Sequence, residues 1–557
     1  MKPTISIGNQ NFVKIRENNY FYIDKTSFIK EWWDNGDDVT LITRPRRFGK
    51  TLNISMLEAF FSNQYAARAD LFEGLSIWKE KTYQKLQGTY PVISLTFADI
   101  KGTTFKDTKE GIIYAIAECY RNYSKLWQKD IFLHNTAVDS EITRALKELS
   151  FYLSQYYNKK VIILLDEYDT PLQESYVHGY WEEMVAFTRS LFNSTFKTNP
   201  YLERGIMTGI TRVSKESIFS DLNNLEVVTV TSNKYKTVFG FTQKEVEDSL
   251  KLFDLSNTIE KVKFWYDGFQ FGNQTDIYNP WSITKYLDSG KLKTYWVNTS
   301  SNSLVSKLIR ESSSEIKITM EDLLAKKQVI TQLDEEIVFD QLDESDTSIW
   351  NLLLASGYLK AKQISNDEEE LYQISLTNYE VQKMFKKMIE NWFKNPSAHY
   401  NDFVKAFLAN DIEYMNEYIN QVALQTFSSF DTGKHASYTE PERFYHGFVL
   451  GLIVNLADKY HITSNRESGF GRYDVVLEPI KDNLDAIIIE FKVYHQSKEK
   501  DLQETANRAL AQIEEKNYDA YLITKGISKK KIRHYGFAFQ GKKVLIQEAI
   551  FINRGCI

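Results

Sequence analysis

Cysteine is almost absent: Cys119 and Cys556 are the only two in 557 residues. Two thiols build no disulfide framework, and with eight histidines they offer no Cys/His zinc spacing. This usage fits a reducing compartment. There is no long uncharged apolar run, and no signal-peptide h-region follows Met1-Lys2-Pro3. The expectation is therefore a cytoplasmic chain without membrane contact. Charge of one sign is lacking too. The net charge is −6, so any contact with nucleic acid must come from a local basic patch. Low-complexity linkers and internal repeats are missing. With 43% hydrophobic and 25% charged residues, disorder is not expected. The length argues for roughly two to four domains.

One further absence bears on function. An apolar run, Val39 to Ile42, leads into Arg44-Pro45-Arg46-Arg47-Phe48-Gly49-Lys50-Thr51-Leu52 and on into a helical pattern. This is close to G-x-x-x-x-G-K-[ST], except that Arg44 holds the first glycine position. In a strand–loop–helix setting, the backbone from Arg46 to Leu52 wraps a phosphate. Lys50 then reaches the outer phosphates and the Thr51 hydroxyl ligates Mg²⁺. Gly-Lys-Thr alone is a weak signal, so the surroundings must decide.

They do so through strand-like runs alternating with helical ones, at Val39–Thr43, Val92–Phe97, Val161–Leu165, Gly205–Thr211 and Val227–Thr231. This predicts a mostly parallel sheet with helices on both faces. The third run ends in Asp166-Glu167-Tyr168-Asp169, and parallel strands aim their C-terminal ends at the ligand crevice. There Asp166 can hold Mg²⁺ and Glu167 can polarise the water that attacks a γ-phosphate. Thr211 and Arg212, closing the fourth run, either sense the γ-phosphate or merely cap the next segment of chain. Tyr22–Thr26 reads as a strand and capped helix packed on the core.

Together, Arg44–Thr51, Leu165–Leu172 and Thr208–Arg212 resemble the bacterial and archaeal AAA-ATPase-like family. Tyr22–Thr26, Trp265–Phe269 and Tyr278–Trp281 are similar to it as well, so the likeness spans most of residues 1–285. The resemblance implies a P-loop NTPase-type α/β domain that binds ATP with Mg²⁺, and makes Arg44 a family trait. Hydrolysis and mere binding both stay open. Arg44, Arg46 and Arg47 either clamp phosphate or face a partner.

Residues 286–400 read as a mainly helical, winged-helix-like connector. Trp350–Leu359 reads as an amphipathic helix stopped by Gly357, and strands Tyr358–Gln363 and Leu371–Leu376 flank an acidic turn. The acids favour a spacer or lid over a DNA reader.

From residue 401 onward the chemistry changes. Ser468–Leu477 and Asp485–Val493 form a predicted β-hairpin. A strand period of two places Ile488, Glu490 and Lys492 on one face and Ile487, Ile489 and Phe491 on the other. Buried charges in a strand centre are costly unless paired or metal-bound. Asp474, on the partner strand, can join Glu490 in binding Mg²⁺, with Lys492 positioning or deprotonating a water. The pattern Asp474…Glu490-Phe491-Lys492 resembles the PD-(D/E)XK nuclease superfamily over roughly 440–550, with Tyr473 in place of the usual proline. The resemblance assigns Gln512, on a predicted helix over Lys500–Lys516, to the active-site periphery. It matches Glu442 more weakly to an upstream acid. Tyr518–Thr524 reads as a further strand. Lys525, Lys529, Lys530, Lys531, Arg533, Lys542 and Lys543 form the densest basic cluster, with Tyr535, Phe537 and Phe539 interleaved, which favours phosphate-backbone contact.

The sequence thus predicts three domains: a P-loop domain (1–285), a connector (286–400) and an α/β nuclease-like domain (401–557). The expected function is an ATPase coupled to Mg²⁺-dependent cleavage of nucleic acid, DNA favoured, with room for a homo-oligomer. The competing reading is a signalling-type ATPase switch whose nuclease-like domain only binds nucleic acid or a protein. DNA against RNA, endo against exo cutting and cellular role are not written in the chain.

Overall fold

The computed structural model describes residues 2–549 apart from 127–138, 213–217, 220–221, 300–304, 306–307, 310–313, 325, 334–345, 365–370, 393–399, 427–448, 450–452, 454–455, 457–458, 469–470, 482–483, 496–497 and 541–542. Two compact units divide the chain: Met1–Ile309 with Asp322–Met384, and Arg310–Glu321 with Phe385–Ile557.

In the first unit, β1 (Val39–Thr43), β2 (Val92–Thr96), β3 (Val161–Asp166), β4 (Leu202–Gly209) and β5 (Leu225–Val228) form one parallel sheet in the order β2-β3-β4-β1-β5. Every residue of β1 and β3 is buried, as uninterrupted aliphatic strands covered on both faces require. Helices α1 (Lys50–Phe61), α2 (Phe105–Asn122), α3 (Asp139–Tyr157), α4 (Thr170–His178) and α5 (Trp181–Phe192) connect the strands. This strand order gathers the C-terminal ends of β1, β3 and β4. Tyr22–Thr26 is not a strand. Its polar groups tie it down instead: Asp24 accepts from the N–H groups of Thr26 and Ser76, and Lys25 is buried against Glu245 at 2.7 Å.

A small antiparallel sheet comes next, β6 (Phe241–Thr242), β7 (Asp267–Phe271) and β8 (Gln274–Tyr278), with helices α6 (Gln243–Leu252), α7 (Ile259–Tyr266) and α8 (Pro280–Ser289). Val246, Leu250, Val262, Tyr266, Tyr278 and Ile283 form its core. Beyond it lie β9 (Val329–Gln332), α9 (Asp346–Ala355), β10 (Leu359–Gln363) and β11 (Leu371–Leu376). The expected two-stranded wing has a third member, because β9 pairs with β11. The acidic runs at 334–337 and 367–370 lie outside the described residues. Gly357 has φ +83° and lies so near the phosphate loop that a Cβ there would meet Pro45 at 2.8 Å. Only glycine satisfies both demands. Helix α10 (Tyr379–Trp392) closes this part of the chain.

The second unit holds α11 (Tyr400–Ala409), α12 (Ile412–Thr426) and a five-stranded sheet of β12 (Tyr460–Ser468), β13 (Gly471–Pro479), β14 (Ala486–Val493), β15 (Ile532–Gln540) and β16 (Lys543–Glu548), in that order. All its pairings are antiparallel except β14–β15, which is bridged by α13 (Leu502–Glu515). Asn416 and Asn420, one helical turn apart on α12, serve as a false strand along the edge of β16. Each amide both donates to and accepts from one backbone residue, Ile546 for Asn416 and Val544 for Asn420, at 2.7–2.9 Å. This satisfies an edge that would otherwise present unpaired groups.

Two expectations are corrected by the second unit. Tyr518–Thr524 is not a strand: α14 (Ala520–Thr524) occupies it, and Tyr518 and Leu522, at helical spacing, enter one core cluster with Val476, Ile488 and Ile513. Tyr535, Phe537 and Phe539 are fully buried on β15. Their alternation is the period of a core strand, so they belong to the core and are not interleaved with the basic cluster at the surface.

Candidate functional site

In the first unit, the phosphate loop leaves β1 and turns into α1 at Gly49, whose φ of +84° suits glycine. Lys50 is buried, and its ammonium donates to the carbonyls of Arg44 at 2.9 Å and Pro45 at 3.2 Å. Burial pulls its pKa down, opposed by the charges of Glu167, Asp166 and Asp169. The Thr51 hydroxyl donates to Asp166 at 2.6 Å. The two groups expected to share a cation therefore touch. Glu167, at the tip of β3, has φ +52° and a pKa raised by burial and partly restored by Lys50. A raised carboxyl beside a nucleotide cleft suits a residue that handles a proton.

A cleft of about 770 Å³ is lined by Arg46, Arg47, Phe48, Gly49, Lys50, Thr51, Leu52, Asp166 and Glu167, together with Trp281 and the turn at Ser6–Gln10. The loop residues from Arg46 to Leu52 thus meet in one place. The ring of Phe48 does not point there; it is buried edge-on against Phe269 at 4.8 Å, so its share of the cleft is backbone. Arg47 has φ +66° and its guanidinium lies 4.6 Å from the Trp281 ring. Mg²⁺ fits this donor set, since it binds through one or two protein oxygens, keeps several waters and takes the rest of its shell from phosphate.

Arg44 and Arg212 are placed elsewhere. Arg44 is fully buried and donates to the carbonyls of Thr43 (2.8 Å), Thr229 (2.6 Å) and Lys234 (3.4 Å), with Phe271 4.6 Å from its guanidinium. It pins the loop to β5 and β7 and is not among the residues that line the cleft. Arg212 lines a separate small recess with Thr43, Thr229 and Leu354, and is not among the residues that line the cleft. The Thr211 hydroxyl is committed to Asp169 at 2.9 Å. The polar group that stands beside Asp166 is Thr208, whose hydroxyl donates to it. Sequence reading passed over Thr208. Its signal was a hydroxyl on the inner face of the strand next to β3, level with Asp166.

In the second unit, Val475 pairs with Ile489 and Val476 with Ile488. One step further along that register, Asp474 falls opposite Glu490. Asp474 accepts from the Phe491 N–H at 2.8 Å. Glu490 is 1% exposed, receives the Lys492 ammonium at 3.1 Å and accepts from the side-chain amide of Gln512. Gln512 also reaches the Tyr518 hydroxyl at 3.2 Å. Asp474, Glu490, Lys492 and Gln512 therefore form one constellation, as expected. No group of three or more His, Cys, Asp or Glu side chains disposed to hold a metal occurs among the described residues. Two carboxylates are still a donor set that Mg²⁺ accepts when substrate phosphate completes it. Glu442 and Lys542 lie outside the described residues.

The basic cluster is partly neutralised. Lys525 pairs with Glu478 at 2.6 Å, Arg533 with Asp485 at 2.6 Å, and Lys529 lies 3.7 Å from Asp519. No described helix is long and apolar enough to cross a membrane.

A parallel sheet with a lysine loop at the end of β1 and an Asp-Glu pair at the end of β3 defines a nucleotide-binding ATPase class. A hairpin-borne Asp, Glu-x-Lys and helix Gln define a metallonuclease class. Residues 6–219 match the family described as Predicted AAA-ATPase, and residues 440–549 match the PD-(D/E)XK nuclease superfamily. The chain carries one domain of each, in that order. It is 24% identical over 535 residues to an Azotobacter chroococcum mcd 1 protein described as an uncharacterized protein in the vnfD 5' region, covering 93% of each chain. A solved structure of Drosophila ORC bound to AT-rich DNA and Cdc6 aligns at 11% identity, covering 68% of this chain and 93% of that one. Its TM-score is 0.18, too low to bear on fold or partner. The two matched domains support ATPase plus nuclease-type function.

Proposed function

We propose that the chain is an ATP-dependent nuclease that cleaves nucleic acid, most readily DNA, with Mg²⁺ at Asp474 and Glu490. The observation that carries this reading is the meeting of Asp474, Lys492 and Gln512 around the buried Glu490, because a decayed nuclease fold would have no reason to keep a costly buried carboxylate with these polar neighbours. When bound, Mg²⁺ would stabilise charge developing on the scissile phosphate. The chain's own residues supply the rest. Lys492, held as an ammonium by Glu490, orients the attacking water by donating a hydrogen bond to it, and the water's proton leaves to solvent. Gln512 fixes the Glu490 carboxylate against α13. In the first unit, Lys50 exchanges its loop carbonyls for the outer phosphates of ATP. Thr51 and Asp166 are the donors for the nucleotide's cation, and Glu167 orients the hydrolytic water while Thr208 steadies Asp166. Coupling then lets nucleotide occupancy gate cleavage.

The test is cleavage of DNA and RNA substrates in Mg²⁺, with and without ATP, by the wild type, Lys50→Ala and Glu490→Ala. The expected result is loss of cleavage by at least about a hundredfold in Glu490→Ala, the scale seen when a reacting-centre electrostatic group is removed. Lys50→Ala should abolish the response to ATP. Cleavage that survives Glu490→Ala overturns the nuclease assignment. Cleavage indifferent both to ATP and to Lys50→Ala overturns the gating alone.

A further inference from the structure

Beside the constellation on β14 lies a second charged group that the proposed chemistry does not use. Glu499, in the segment joining β14 to α13, has a side chain only 2% exposed. One of its oxygens accepts from the His495 N–H at 2.9 Å and from the buried Thr505 hydroxyl at 2.8 Å; the other lies 2.5 Å from the Arg508 guanidinium. Burial raises the Glu499 pKa, but the two hydrogen bonds and the Arg508 charge outweigh it and hold the group ionised. Arg508 itself is 42% exposed at the side chain, and Glu499 is its one ion-pair partner among the described residues. A buried carboxylate thus holds one guanidinium nitrogen while the arginine side chain stays partly exposed.

The placement of that arginine results from the crossover. Because β14 and β15 are parallel, α13 between them runs antiparallel to β14. From Gln512 back to Arg508 the helix climbs ~6 Å, four residues at the helical rise. From Glu490 on to Lys492 the strand climbs ~6.6 Å, two residues at the strand rise. Gln512 touches Glu490, so Arg508 stands level with Lys492, on the same helix face as Gln512.

We infer that Arg508, held by Glu499, binds a backbone phosphate of the nucleic-acid substrate next to the bond that is cut. This rests on the nuclease reading above. Arginine suits the role because a guanidinium edge matches two phosphate oxygens at once.

The experiment measures binding of a labelled DNA duplex of about 20 base pairs to the full chain, in EDTA, from about 50 to about 300 mM NaCl. Wild type, Arg508→Ala and Arg508→Lys are compared, with circular dichroism to confirm folding. Arg508→Ala should weaken binding and lower the slope of log K against log salt by about 0.9, the loss of one phosphate contact; for a single strand the figure is about 0.7. Arg508→Lys should restore the slope. In Mg²⁺ the alanine variant should raise KM with little change in kcat, whereas Glu490→Ala removes turnover. A folded Arg508→Ala with the wild-type slope overturns the inference and leaves the nuclease reading intact. A wild type with no salt-dependent binding, or one whose cleavage survives Glu490→Ala, overturns the reading beneath it.

Discussion

Replacing Arg44 by glycine would make the phosphate loop match G-x-x-x-x-G-K-[ST] and, given its surroundings, would damage the protein. The guanidinium is fully buried, with Thr43, Thr229 and Lys234 carbonyls as acceptors and Phe271 beneath it. Each carbonyl left without a donor costs about 1–3 kcal/mol, and the lost cation–π contact about 2 kcal/mol at a desolvated site. Relief from burying a guanidinium offsets part of this and leaves a loss of roughly 3–5 kcal/mol, at the high end for a single substitution. At about 2 °C per kcal/mol for a large domain, Arg44→Gly should unfold roughly 6–10 °C below wild type. ATP affinity should fall as well, since the loop backbone that the Arg44 side chain pins carries Lys50 and Thr51. Arg44→Lys should recover little, because a compact ammonium cannot serve several divergent carbonyls. Differential scanning calorimetry with and without ATP reads both effects. A variant that keeps the wild-type transition and loses only nucleotide affinity would show that Arg44 is a phosphate ligand, and the reasoning would fail.

Glu380 offers a pH-dependent counterpart. It is 1% exposed and accepts from the Trp296 N–H at 2.7 Å and the Ser282 hydroxyl at 2.8 Å, and burial pushes its pKa up to about 7. With the folded value above the unfolded one, its contribution is complete below about pH 4.5 and is lost as pH rises through about 7. Glu380→Gln should therefore flatten the stability profile between those limits in denaturant titrations; parallel profiles for variant and wild type would count against it. Asn416→Ala with Asn420→Ala removes four hydrogen bonds from β16, worth roughly 4 kcal/mol at about 1 kcal/mol each, and bares a sheet edge. Light scattering should then report concentration-dependent association, and a double variant as stable and as monodisperse as wild type would refute the role given to these amides.

The sheet of the first unit was legible because β1 and β3 are unbroken aliphatic runs whose neighbours end in chemistry. The constellation on β14 was legible because a strand's period fixes which side chains share a face, and Asp474 needed only one hairpin to reach it. Signals that depend on distant partners were not legible. Arg44 looks like a phosphate ligand until Phe271 and Thr229 arrive from elsewhere in the chain. Tyr518 and Leu522 sit in a short apolar stretch that suits strand and helix alike, and only their shared core cluster decides. The aromatics of β15 come after three consecutive lysines, and the charge hid a core strand. Thr208 was passed over because Thr211 and Arg212, nearer the strand's end, drew the polar role.

The backbone of the phosphate loop is gripped from outside the segment that carries its signature. The Arg46 carbonyl accepts from the Trp296 indole at 3.0 Å and from Asn279 at 3.4 Å, Pro45 lies under Gly357, and Arg44 is clasped by residues from 229 to 271. A protein trimmed at residue 219 would retain Lys50, Thr51, Asp166 and Glu167 yet lose every one of those grips. The smallest portable form of this domain is therefore larger than its motifs, and insertions between residues 220 and 380 reach the loop's supports as directly as changes in the loop itself.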